Sequence, residues 1–75
     1  MKKIAISTEY IKLDSFLKFS GITLDGSDAK RMVQSSMVKV NGELCTMRGK
    51  KLRPGEIVDA CGIVLEVCAD DGEED

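Results

Sequence analysis

The spacing of apolar residues along this chain changes twice, and each change marks a different kind of element. The run Lys3-Ile4-Ala5-Ile6 is a short strand candidate. From Lys12 onward Leu13, Phe16 and Leu17 fall at i, i+3 and i+4, the stripe of an amphipathic helix, which predicts a helix over about 12–20. Asp14 in its first turn suits the positive end of the helix dipole, and Gly21 can take the left-handed conformation that closes a helix. The cluster Asp25-Gly26-Ser27-Asp28 reads as a turn and helix start with Ser27 as N-cap. Ala29, Met32 and Val33 then repeat the helical spacing and predict a second helix over about 27–35, with Lys30, Arg31 and Gln34 on its outer face.

After Met37 the period falls to two. Val38-Lys39-Val40 and Glu43-Leu44-Cys45 flank Asn41-Gly42, the dipeptide that favours a type I′ hairpin because both residues tolerate positive φ. Met47 to Arg53 reads as a basic loop, and Pro54-Gly55 as a tight turn. Glu56 to Ala60 and Ile63 to Cys68 are strands joined at Cys61-Gly62, with Ile63, Leu65 and Val67 on one face of the last. No repeat or linker interrupts the order. The element sequence β-α-α-β-β-β-β predicts an α+β fold, two helices packed on a small antiparallel sheet of four to five short strands. Its expected core is Leu13, Phe16, Leu17, Met32, Val33, Val40 and Leu65, while Tyr10 is expected to pack rather than to act as a stacking platform.

Composition narrows the function classes. With 75 residues, 43% hydrophobic and 32% charged, the chain is globular and has room for one domain, expected over residues 1–69. A body of this size buries only about 60% of its unfolded surface and leaves little scaffold for an enclosed substrate pocket. No window approaches the roughly 18 apolar residues of a membrane span, and Met1-Lys2-Lys3 leads into an apolar run far short of a signal peptide. The expected setting is cytoplasmic, with no membrane partner. Cys45, Cys61 and Cys68 form neither a Cys-x-x-Cys pair nor an even disulfide framework, so they read as buried or half-buried free thiols. No metal or cofactor is expected. The absence of histidine removes the commonest general base, and the chain is expected not to be an enzyme.

Charge changes the picture more. The formal net charge is −2, but five of the 13 acids lie in residues 70–75, an acidic run read as a disordered, solubilising tail. Without it the balance is +3, and the segment Lys30 to Arg53 carries +6 in 24 residues. Gathered on one face, those charges make an electrostatic footprint for phosphates; scattered, they are an ordinary solvated surface.

These residues together resemble the S4 domain, a small RNA-binding module. The resemblance is carried by Lys12-Leu13-Asp14 with Leu17, Ser27-Asp28-Ala29-Lys30-Arg31, Val38-Lys39-Val40-Asn41-Gly42 and Pro54-Gly55-Glu56, in one order from about Lys12 to Ala60. Within the family the chain is most similar to the free-standing bacterial YaaA-type S4 domain proteins, through residues 6–14 and the loop from Arg48 to Gly55. Two positions depart from the family pattern: Lys12 stands where arginine is usual, and Ser36 where glycine usually follows the second helix.

The resemblance implies an S4-like (alpha-L) fold and a non-catalytic protein, expected as a monomer. It would bind structured RNA, with ribosomal RNA and ribosome assembly as the expected setting and association with a ribosomal subunit as a further expectation. RNA contacts are assigned to Lys12, Ser27, Lys30, Arg31, Gln34, Lys50, Lys51 and Arg53. Ser27 would serve first as cap, and Arg31 has Asp28 as an alternative partner at i, i+3. Asn41 and Gly42 are structural. The competing reading is a protein-interaction adaptor that keeps the S4 fold without RNA binding; duplex DNA binding is disfavoured because the second helix offers little beyond Gln34 to read bases.

Overall fold

The computed structural model describes residues 1–70; the acidic run beyond Asp70 lies outside them. Seven strands and two helices follow in the order β1 (Lys2–Ile6), β2 (Ile11–Lys12), α1 (Leu13–Phe19), α2 (Gly26–Gln34), β3 (Val38–Val40), β4 (Glu43–Leu44), β5 (Lys51–Leu52), β6 (Ile57–Ala60) and β7 (Ile63–Ala69). Five strands form one sheet in the order β1-β7-β6-β3-β4, and β2 pairs with β5 in a separate two-stranded piece. The class is the expected α+β, with one correction. The sheet is mixed, because β1 runs parallel to β7 with Ile4 opposite Val67 and Ile6 opposite Ala69. An isolated five-residue strand carries no signal for its partner's direction, and here the first strand joins the last across a crossover containing both helices.

Each helix ends as its residues dictate. In α1, Gly21 has φ +86; its N–H donates to Lys18 O (3.1 Å) and that of Ile22 to Leu17 O (3.0 Å). This is a Schellman closure, and it turns Ile22 back against the core. In α2, Ser36 occupies the same position with φ +63, and its N–H and that of Met37 donate to Val33 O and Met32 O. A side chain there costs about 1–2 kcal/mol relative to the ordinary helical conformation. Ser36→Gly is therefore expected to raise stability by about 0.5–1 kcal/mol, net of the extra chain entropy of glycine, in a urea titration.

The cap of α2 differs from expectation. Asp25, in extended conformation, is the N-cap and accepts from the Asp28 N–H at 2.9 Å, so Ser27 lies inside the first turn and caps nothing. Asp25 precedes Asp28 by the three residues a cap needs, and starting there adds Gly26 and Ser27 to the helix.

The core joins both helices to the sheet: Leu13, Phe16, Leu17, Val33, Val40 and Leu65 are buried as expected, together with Ile6, Ala29, Val38, Leu52, Val58, Ala60 and Val67. Met32 packs against this cluster but stays partly exposed. Two two-residue hairpins have both loop residues at positive φ, Asn41-Gly42 and Cys61-Gly62. The second corrects the reading of Cys61 as a buried or half-buried thiol. At the tip of the β6–β7 hairpin it leaves the strand alternation and is exposed, whereas Cys45 and Cys68 are half-buried.

Candidate functional site

The basic segment is folded onto the start of α1. Lys12 caps that helix without using its side chain, and the first backbone N–H groups find partners in the loop instead: Leu13 N–H donates to Lys50 O (2.8 Å) and Asp14 N–H to Arg48 O (3.0 Å). The same docking pairs β2 with β5, setting Ile11 opposite Leu52 and Lys12 opposite Lys51. Leu52 is buried beneath the loop, while Lys12 and Lys51 are both exposed. Like charges directly opposite on a strand pair repel, so this arrangement is one that an anion between them would relieve.

Neighbouring residues fix the rest of the loop. The Lys51 ammonium lies 4.9 Å from the centroid of the Tyr10 ring and the Arg53 guanidinium carbon 5.9 Å from it. Tyr10 is half-buried, as expected for packing, but what it packs is this pair of cations. Arg53-Pro54-Gly55-Glu56 forms a turn with Gly55 at φ +101, closed by Glu56 N–H to Arg53 O at 3.1 Å. The Glu56 carboxylate accepts from the Arg53 N–H (2.8 Å) and from Asn41 Nδ2 (3.3 Å), and Asn41 Oδ1 accepts from the Ile57 N–H (2.9 Å). Asn41 thus serves the β3–β4 turn with its backbone and ties that turn to the Pro-Gly turn with its amide. Asn41→Ala is expected to cost about 2 kcal/mol in a denaturation curve, from a lost hydrogen bond and a side chain in the left-handed region without local compensation.

The second group lies on α2. Ser27, Lys30, Arg31 and Gln34 share one stripe of that helix and line a shallow cleft of about 300 Å³. With capping done by Asp25, the Ser27 hydroxyl is left to this cleft. The eight residues singled out from the sequence therefore form two clusters, Lys12-Lys50-Lys51-Arg53 and Ser27-Lys30-Arg31-Gln34. Both are carried on elements that contact α1.

Arginines and lysines are used differently. Among the described residues Arg31 pairs with Asp28 (3.9 Å), Arg48 with Asp14 (3.5 Å) and Arg53 with Glu9 (3.6 Å), whereas Lys12, Lys30, Lys50 and Lys51 have no carboxylate partner. These pairs are at the surface and contribute tenths of a kcal/mol, so a phosphate can displace them. The role of Arg48 in holding the loop to α1 was not singled out from the sequence, because its partner Asp14 is 34 residues away.

The sequence model of the S4 domain matches residues 4–68. The chain belongs to the S4 domain family. Its match runs from β1 almost to the end of β7 and takes in both cationic clusters. The domain is 39% identical over 59 residues to a protein of Bacillus subtilis (strain 168) described as a probable ribosome maturation protein, RlbA, covering 79% of this chain and 83% of that one. The solution structure of YbcJ from E. coli, described as revealing an alpha-L motif involved in RNA binding, superposes with a TM-score of 0.72 at 27% identity, covering 92% of this chain and 89% of YbcJ. The S4 reading of the sequence and its alpha-L architecture both stand. No described helix is long and apolar enough to cross a membrane.

Proposed function

We propose that this S4 domain is a non-catalytic, monomeric RNA-binding protein of the cytoplasm that recognises structured ribosomal RNA during ribosome maturation. The observation that carries the reading is the set of lysines without carboxylate partners among the described residues, at two places flanking α1: Lys12, Lys50 and Lys51 beside its N-terminus, and Lys30 on α2. Folded RNA presents phosphates and 2′-hydroxyls across a shallow minor groove and hides its bases in a deep major groove, so a surface of cations and small polar groups suits it. Ser27 and Gln34 are then hydrogen-bonding groups toward sugar or phosphate oxygens. The similarity to RlbA and YbcJ supports the ribosomal and RNA parts of the proposal respectively.

Fluorescence-anisotropy titration tests it with a ribosomal RNA hairpin, a single-stranded RNA and a DNA duplex of equal length. The hairpin is expected to bind most tightly, with log K falling against log salt at a slope of about −3 to −5, as four to six displaced counterions require. Absence of binding to the hairpin at low salt would assign the fold to protein interaction instead.

A further inference from the structure

A second depression adjoins the cationic cleft on α2. Its volume is about 380 Å³, and its walls are apolar: Ile22 and Leu24 from the segment between the helices, Met32 from the last turn of α2, and Met37 from the connection to β3. Leu24 is 89% exposed and Met37 48%, so neither is consumed by the core. Asp28, Arg31 and Ser35 add polar groups, and Thr23 completes the lining. Thr23 is only 7% exposed, and its hydroxyl is the one buried side-chain oxygen or nitrogen without a hydrogen-bond partner among the described residues. That oxygen is itself closed off from solvent, so Thr23 contributes to the lining through its other atoms.

We propose that this groove seats a single unpaired nucleobase of the bound RNA, an inference that rests on the RNA-binding reading above. Arg31 belongs to both depressions, so an RNA strand whose phosphate lies against Ser27, Lys30 and Gln34 brings the adjoining base over the groove. Two methionine thioethers and a leucine supply a soft, apolar bed for a π face. The polar groups can read a base edge: the Asp28 carboxylate accepts from an exocyclic amine, and the Arg31 guanidinium donates to a ring nitrogen or carbonyl. The position beside Lys30 and Arg31 favours an occupant carried on a polyanion over an apolar protein side chain. Stacked duplex bases cannot enter, so the occupant comes from a bulge or loop, where RNA sequence is most often read.

The test compares two hairpins that differ by one bulged nucleotide, titrated by anisotropy against the full chain. The wild-type protein is expected to prefer the bulged hairpin about tenfold, which burial of about 50 Å² of apolar surface supplies. Leu24→Ser and Met37→Ser, both at exposed positions of the groove, are expected to reduce that preference to within about twofold and to leave the paired hairpin unaffected. Thermal melting of each variant confirms that it is folded. Lys30→Glu should weaken both hairpins alike. Equal binding of the two hairpins by the wild type, or a preference unchanged in both groove variants, would overturn the nucleobase site while leaving the RNA-binding reading intact. Sedimentation showing a wild-type dimer that Leu24→Ser dissociates would give the groove to a second copy of the chain and overturn it as well. Failure of either hairpin to bind at low salt would instead remove the RNA-binding reading, and the groove proposal with it.

Discussion

Replacing Lys30, Lys50 and Lys51 together by glutamate is expected to lower affinity for a structured RNA by at least about 100-fold near 0.1 M salt, and to flatten the salt dependence by about three in slope. The three lysines come from both clusters, and none has a carboxylate partner among the described residues, so each is available to a phosphate. Reversal removes three attractions and adds three repulsions. Net charge alone would produce part of this loss, and a second triple isolates that part. Lys2, Lys3 and Lys18→Glu changes the total charge equally at exposed positions outside the two clusters, and is expected to cost less than about tenfold. Equal losses in the two triples would mean that the surface attracts RNA only through its overall charge.

Leu52→Ala is expected to give the largest stability loss tied to the site, about 2–5 kcal/mol in a urea titration. A domain of this length has roughly 4–11 kcal/mol in all, so the variant stands close to unfolding at 37 °C. Leu52 is fully buried, pairs with Ile11, and is flanked by Lys51 and Arg53. Its truncation leaves a cavity under the loop that carries those cations. RNA affinity should therefore fall even at temperatures where the variant remains folded. Leu24→Ala, which removes the same atoms from an exposed leucine, is expected to change stability by less than about 0.5 kcal/mol.

Elements with dense local signals were legible in the chain. The i, i+3, i+4 spacing of Leu13, Phe16 and Leu17 placed α1, and Asn41-Gly42 placed the hairpin whose residues do take positive φ. Glycine at 21 closes α1 as its chemistry suggests, and Ser36 pays the conformational cost its position implied. The α2 stripe of Ser27, Lys30, Arg31 and Gln34 was also readable, because one helix brings together residues three and four apart. The cap of α2 is Asp25 rather than Ser27, since both have side chains suited to that role and the choice turns on where the chain leaves its extended conformation.

What the sequence determined by itself is local: the two helices, the turn positions, the core-facing stripes, and the concentration of positive charge between Lys30 and Arg53. Tertiary structure decided every pairing between distant segments. Two-residue strands such as β2 and β5 bury too little and repeat too briefly to announce themselves, so their meeting depends on Leu52 entering the core and on loop carbonyls satisfying the first N–H groups of α1. The same contact sets Lys12 against Lys51, although 38 residues separate them along the chain. The parallel pairing of β1 with β7 is equally non-local. Periodicity reports which face of an element is buried; which elements then share an edge follows from how those faces close around one core.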